Sequence, residues 1–106
     1  MERQKDMLGL ETKVRVLREP MAFGSAHLLG FAELVIGGAF VIRDIRILKV
    51  GKDGGEAVFV AFPSRRWNGK GEEKKFYDVA FPITAESYRL ATASILKAFE
   101  EAGAKA

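Results

Sequence analysis

The chain has 106 residues, of which 48% are hydrophobic and 29% charged, and its formal net charge is +3. This length and balance predict one globular domain with a modest core, which a second copy of the chain would enlarge. The absence of cysteine excludes disulfides and thiolate chemistry, and the single histidine, His27, excludes a multi-histidine metal site within one chain. We therefore expect no metal and no cofactor.

The absence of cysteine suits a reducing cytoplasm, and the distribution of charge disfavours a membrane protein. The longest run without a charge, residues 20–32, has thirteen residues, whereas a helix that spans a bilayer needs about 20. The first residues mix acids with bases and lack the apolar core of a signal peptide. We expect a flexible arm over residues 1–11, one domain over 12–103 and a short tail over 104–106.

Most of the chain is predicted to form strands, because apolar and polar residues alternate in short segments between turn residues. Gly37 and Gly38 fall between two such segments, and this pair suits a tight hairpin turn. Further turns are expected at residues 19–25 and 52–55. The predicted strands cover residues 12–17, 28–36, 40–50, 56–62 and 76–81. The second is apolar on both faces, which favours a central place in a sheet.

After Pro82 the spacing of apolar residues changes from that of a strand to that of a helix. Thr84 is a good N-cap residue, and Glu86 lies in the first turn, where the helix dipole favours an anion. An apolar stripe follows at three- and four-residue spacing, and it consists of Tyr88, Ala91, Ile95, Phe99 and Ala102. Gly103 is a natural stop. The predicted fold is therefore α+β: a twisted antiparallel sheet of about five strands, with one C-terminal helix covering one face.

The segment from residue 65 to residue 75 is strongly basic. It holds five cations and two carboxylates, and its net charge of +3 equals that of the whole chain. A cationic segment that also carries Trp67 suits phosphate and base contacts. The bland alternative is a solvated hairpin tip, with Trp67 folded over the sheet edge. The candidate nucleic-acid-binding residues are Ser64, Arg65, Arg66, Trp67, Lys70, Lys74 and Lys75.

No set of residues predicts catalysis. Asp44 and Asp78 lie on predicted strands with arginine or lysine nearby in sequence, so we expect them to form structural hydrogen bonds or ion pairs. Ser64 lacks the flanking glycines of a nucleophile elbow. A small hydrolase is disfavoured, because the chain has neither cysteine nor the residues for a histidine-based triad. We expect no enzyme and no small-molecule substrate.

Three blocks of the sequence form a recognisable set: residues 40–47 (FVIRDIRI), 59–66 (FVAFPSRR) and 77–83 (YDVAFPI). Together they resemble the SpoVG family, the stage V sporulation protein G or septation proteins of bacteria. The resemblance implies a small antiparallel sheet with a C-terminal helix, a dimer formed through the sheet, and regulatory binding to DNA and, in some members, RNA. The family's basic patch follows a Met-Pro-Ser turn, which corresponds here to Pro63, Ser64, Arg65 and Arg66.

The chain departs from the family pattern around this patch. Phe62 stands where methionine is usual and Phe81 where histidine is usual, while Trp67-Asn68 replaces Thr-Pro in a loop that is longer by a few residues. The acidic tail common after the helix is nearly absent. The resemblance therefore supports the fold. It leaves open which nucleic-acid sequence the protein would bind.

The expected function is a nucleic-acid-binding regulator linked to septation or sporulation-type gene control, with DNA as partner and RNA as a second candidate. The expected assembly is a homodimer. The alternative is a protein-interaction module that acts through a sheet edge without binding nucleic acid. Salt separates the two, because phosphate binding weakens steeply with salt and strand addition does not.

Overall fold

The computed structural model describes residues 9–52, 54–67 and 75–105. Its elements are β1 (Leu10–Phe23), β2 (Ala26–Ile36), β3 (Phe40–Lys52), β4 (Gly55–Ala61), β5 (Ser64–Trp67), β6 (Lys75–Asp78) and α1 (Ala85–Lys105). The predicted fold class is confirmed: an antiparallel sheet carries one C-terminal helix. The strands divide differently from the prediction, however. Four form the main sheet in the order β1-β2-β3-β4, while β5 and β6 form a separate two-stranded sheet.

The main sheet is a meander, in which each strand pairs with the next along the chain. β2 is central, as its two apolar faces predict. The turn between β2 and β3 is the predicted one: Gly37 and Gly38 have φ values of 61° and 67°. The Ala39 N–H donates to the Ile36 carbonyl at 3.0 Å. Two consecutive residues with positive φ make a type I′ turn, whose twist matches that of the strands it joins.

β1 is longer at both ends than predicted. It begins at Leu10, inside the segment expected to be a flexible arm, whereas residues 1–8 lie outside the described part. The turn predicted at residues 19–25 is reduced to Gly24 and Ser25. Pro20 is instead part of β1, where the pairing with β2 shifts register between Val16 and Met21. A proline is tolerated there because β1 is an edge strand and the register shift interrupts its hydrogen bonds.

A bulge in β3 breaks the simple alternation of side chains. Ala32 pairs with Ile45 and Leu34 with Ile42, so two residues, Arg43 and Asp44, lie opposite the single Glu33. Asp44 has a φ of 64° and is the one described non-glycine residue with a positive value. Strict alternation along β3 would put Arg43 on the same face as Ile45. The bulge moves it, and its Nε lies 3.4 Å from Glu33 Oε2.

The core lies between one face of the main sheet and α1. Its most buried side chains are Ile45 and Ile47 from β3 and Ile95 from the helix. Thr12 Oγ1 and Ser94 Oγ, 2.6 Å apart, join β1 to the helix beside this cluster. Leu48 follows Ile47 and therefore belongs to the opposite sheet face, where it forms a smaller cluster with Ala26 and Leu28.

The helix starts where the sequence predicts. Thr84 Oγ1 accepts a hydrogen bond from the Ser87 N–H at 3.0 Å, and Ser87 Oγ accepts one from the Thr84 N–H at 3.3 Å. This is a capping box with serine in the third helical position. The predicted stop at Gly103 is wrong, because α1 continues to Lys105. Among the described residues, no helix combines the length and apolar character needed to cross a membrane.

Candidate nucleic-acid interface

The basic segment begins as a strand and not as a loop. In the β5–β6 hairpin, Arg65 pairs with Tyr77 and Arg66 with Phe76. The Val79 N–H donates to the Pro63 carbonyl at 2.9 Å, which extends the pairing to the end of the main sheet. The hairpin therefore fixes the backbone of both arginines. Of the other predicted site residues, Lys70 and Lys74 lie outside the described residues, and only the backbone is described for Trp67 and Lys75.

The two arginines point to opposite faces of this hairpin. Successive side chains alternate along a strand, and directly paired residues share a face. Arg66 therefore shares one face with Phe76, and the pair Ser64 and Asp78 lies on that same face. Arg65 shares the other face with Tyr77. The hairpin therefore carries one guanidinium on each of its two faces.

Both guanidinium groups are available to a ligand. Arg65 and Arg66 are exposed. The ion pairs found within the described residues are Arg43–Glu33 and Lys49–Glu56, so neither hairpin arginine is neutralised by a described carboxylate. An exposed, unpaired guanidinium presents a planar set of donors that matches the oxygens of a phosphate.

A cavity of about 590 Å³ adjoins the face of the hairpin that carries Arg66. Ser64, Phe76 and Asp78 contribute its hairpin side. The opposite sides come from β1, β3, the end of β4 and the first turns of the helix; they include Phe23, Arg46, Phe62 and Tyr88. The cavity thus combines four aromatic rings with a guanidinium, a hydroxyl and a carboxylate.

Ring contacts hold the walls of this cavity. The Arg46 guanidinium lies over the Phe23 ring, with its carbon 5.2 Å from the ring centroid. The Phe62 and Tyr88 rings have centroids 6.1 Å apart and are tilted by 54°. Both arrangements are favourable aromatic geometries. Phe62 is buried whereas Tyr88 is 48% exposed, so the pair ties an exposed ring to the core.

Sequence reasoning missed Phe23, Arg46 and Tyr88 as site residues. They lie on β1, β3 and α1, and no local motif connects them. Tyr88 was assigned to the apolar stripe of the helix, and its ring contact with Phe62 agrees with that. Its exposed remainder, however, faces the cavity. The signal that could have found this group is the excess of aromatic residues beyond what a small core can bury.

Asp44 and Asp78 do not have the structural partners that we predicted. Within the described ranges, neither carboxylate forms a side-chain hydrogen bond or an ion pair. Asp44 lies at the β3 bulge instead, where aspartate tolerates the left-handed conformation better than most residues. Asp78 is exposed and lines the cavity. The described residues contain no cluster of three or more histidines and acids that could hold a metal ion.

A second basic surface lies on the sheet face away from the helix. Thr12 and Val14 face the helix, so Lys13 and Arg15 face the other way. They border a groove of about 490 Å³ together with Phe31, and the Arg15 guanidinium carbon lies 5.9 Å from that ring's centroid. Glu33 and Asp44 border the same groove and offset much of its positive charge.

Comparison with known proteins shows that the chain is similar to SpoVG proteins of bacteria. The family described as SpoVG matches residues 10–101. A septation protein SpoVG of Acholeplasma laidlawii is 32% identical over 89 residues, covering 84% of this chain and 86% of its own. One of Phytoplasma australiense is 32% identical over 78 residues, covering 74% and 73%. The SpoVG 1 protein of Listeria monocytogenes is 37% identical over 71 residues, covering 67% and 62%. No solved structure matches the chain.

Proposed function

This chain belongs to the SpoVG family, and from that premise we propose that it is a non-catalytic regulator that binds nucleic acid through the β5–β6 hairpin. The names of its relatives refer to septation, so we propose septation as the process that it regulates. The observation that carries the proposal is the pair of exposed arginines on a hairpin whose start is fixed by Pro63 and the end of β4.

The binding energy comes mainly from phosphate contacts. A ribbon with one guanidinium on each face can engage phosphates on both of its sides, and each contact releases condensed counterions from the nucleic acid. Arginine suits this role better than lysine, because its planar fork can grip two phosphate oxygens at once. Ser64 adds a hydroxyl that can donate to a phosphate or a base.

The first prediction concerns the double variant Arg65→Ala/Arg66→Ala. We expect weaker binding to labelled DNA and RNA and a shallower dependence of log affinity on log salt. The slope should fall by about 0.7–0.9 for each arginine that contacts phosphate. Fluorescence anisotropy across a salt series measures both quantities, and circular dichroism checks the fold.

The matched control is Arg89→Ala/Lys97→Ala, which removes two exposed cations from α1 and causes the same change in net charge. It should leave the slope nearly unchanged. If the two double variants behave alike, only net charge matters and the hairpin is not the site. Attention would then move to Lys13 and Arg15 on the open sheet face.

A second candidate function is supported by the free edge of β4. In the described part of the chain β4 pairs only with β3, and its Val58 and Phe59 are exposed. Such an edge can accept a strand from another chain, including a second copy of this one. Binding of a protein strand would depend little on salt, so the same salt series separates this function from phosphate binding.

A further inference from the structure

We propose that the cavity beside the β5–β6 hairpin accepts one unpaired nucleobase, so that the preferred ligand is single-stranded nucleic acid. The inference rests on the proposed function and deepens it, because it specifies that the bound nucleic acid is single-stranded rather than duplex. It is carried by three features of the cavity: its exposed rings, its polar groups and its position on the hairpin face that carries Arg66.

The rings suit a flat aromatic ligand. Phe23, Phe76 and Tyr88 are 43%, 67% and 48% exposed, so large ring surfaces remain uncovered. Proteins that bind single strands stack bases on such rings, and stacking tolerates any base because every base has a π face. A concave, largely apolar site with a few convergent polar groups is the usual form of a binding pocket.

The polar groups select a base over a phosphate. Asp78 places a carboxylate in the cavity, and its negative charge opposes entry of the phosphate backbone. The same carboxylate accepts hydrogen bonds, which the exocyclic amino group of cytosine or adenine can donate. Arg46 and Ser64 supply donors for ring nitrogens and carbonyl oxygens. One base edge can therefore satisfy donors and acceptors at once.

The position of Arg66 completes the site. Arg66 lies on the same hairpin face as Ser64, Phe76 and Asp78, the three hairpin residues that line the cavity. A strand that places a base inside can place its phosphate on Arg66. A base in a duplex is stacked and paired, and it must be flipped out before it can enter. Single strands avoid this step and should bind more tightly.

The test compares labelled 12-nucleotide dC and dT single strands with a 12-base-pair duplex, by fluorescence anisotropy at one salt concentration. Phe76→Ala removes a largely exposed ring and should weaken binding to the dC strand about tenfold, while duplex affinity stays the same. Phe40→Ala is the matched control, since Phe40 is 73% exposed and does not line the cavity. It should change neither affinity.

Asp78→Asn tests the polar part of the site. Thymine lacks the amino group that the carboxylate would accept from, so wild-type protein should bind the dC strand at least threefold more tightly than dT. The variant should lose this preference while it keeps its affinity for dT. If Phe76→Ala fails to fold by circular dichroism, Phe76→Leu replaces it, because leucine retains the apolar volume without the ring.

The outcomes separate the two proposals. Equal affinity for single strands and duplex, with no loss in Phe76→Ala, overturns the base site and leaves nucleic-acid binding intact. A change of sedimentation without a change of affinity in Phe76→Ala also overturns it, because a second copy of the chain would then cover the cavity. Failure of the wild-type protein to bind any strand or duplex refutes both proposals.

Discussion

Gly30 lies in the main sheet where there is no room for a side chain. A Cβ atom built there would lie 2.5 Å from the Arg15 carbonyl oxygen and 3.3 Å from the Val16 Cα. These are backbone atoms, which cannot move aside as a flexible side chain can. The glycine lies beside the bulge at which the β2–β3 pairing shifts between Leu28 and Gly30, so a side chain there would force β1 away from β2.

Gly30→Ala should therefore lower the free energy of unfolding by about 1–3 kcal/mol or more, as overpacking does elsewhere. Urea denaturation followed by circular dichroism measures this. Gly51→Ala is the control, because Gly51 also lies on a strand and a Cβ there would meet nothing within 4 Å. It should be neutral or stabilising by about 0.5 kcal/mol. Equal losses in the two variants would show that the close approach is not the cause.

The sequence predicts which residue types are candidates for the site, but it does not predict the face to which each side chain points. The charge pattern selects Arg65 and Arg66 as candidates. It could not show that they point to opposite faces, because this depends on their pairing with Tyr77 and Phe76 across a turn of unknown register. The same limit applies to Arg43, whose face is set by a bulge that rests on one aspartate with positive φ.

The cap of α1 depends on local chemistry alone. Thr84→Ala removes the oxygen that accepts from the Ser87 N–H, and it should lower the free energy of unfolding by about 1 kcal/mol. Thr92→Ala makes the same chemical change inside the helix, where the hydroxyl donates to the Tyr88 carbonyl at 2.8 Å. That change should be neutral or slightly stabilising, because alanine favours helix more than threonine does.

Thermal denaturation of the two threonine variants gives the comparison. A similar drop in both melting temperatures would mean that the methyl group and not the cap is responsible. The contrast also explains why α1 could be predicted from sequence. Thr84 marks its start as an N-cap residue, and apolar residues three and four apart mark its buried stripe. No comparable local pattern predicts the pairing of β5 with β6, and the sequence predicts only the second of these strands.

The shape of the chain leaves a large apolar surface uncovered. Its extents are 51 × 31 × 24 Å, and many large apolar side chains are exposed, including Phe40, Val58, Phe59, Phe76 and Ile83. Neighbouring exposed apolar residues are a common feature of interaction surfaces. Val58 and Phe59 lie on β4, whose outer edge has no partner in the described ranges. We propose that two copies join here.

Sedimentation equilibrium at tens of micromolar should therefore show a dimer, with a stable interface of about 1,200 Å² or more in total. Phe59→Lys should shift the mass toward the monomer, because a charge at the edge of a sheet opposes further pairing. Phe40→Lys introduces the same charge at the β2–β3 end and should leave the dimer intact. A wild-type monomer at these concentrations would contradict the proposal.

The β5–β6 hairpin contributes no residue to either hydrophobic cluster of the described structure. Its anchor, Phe62, belongs to the core, but Ser64–Trp67 and Lys75–Asp78 do not. Substitutions in the hairpin should therefore cost little folding stability. If the hairpin binds the ligand as proposed, the usual conflict between stability and new activity is weak here. A new ligand preference would then need changes in the hairpin alone, while the residues of the meander and the helix that form the core stay the same.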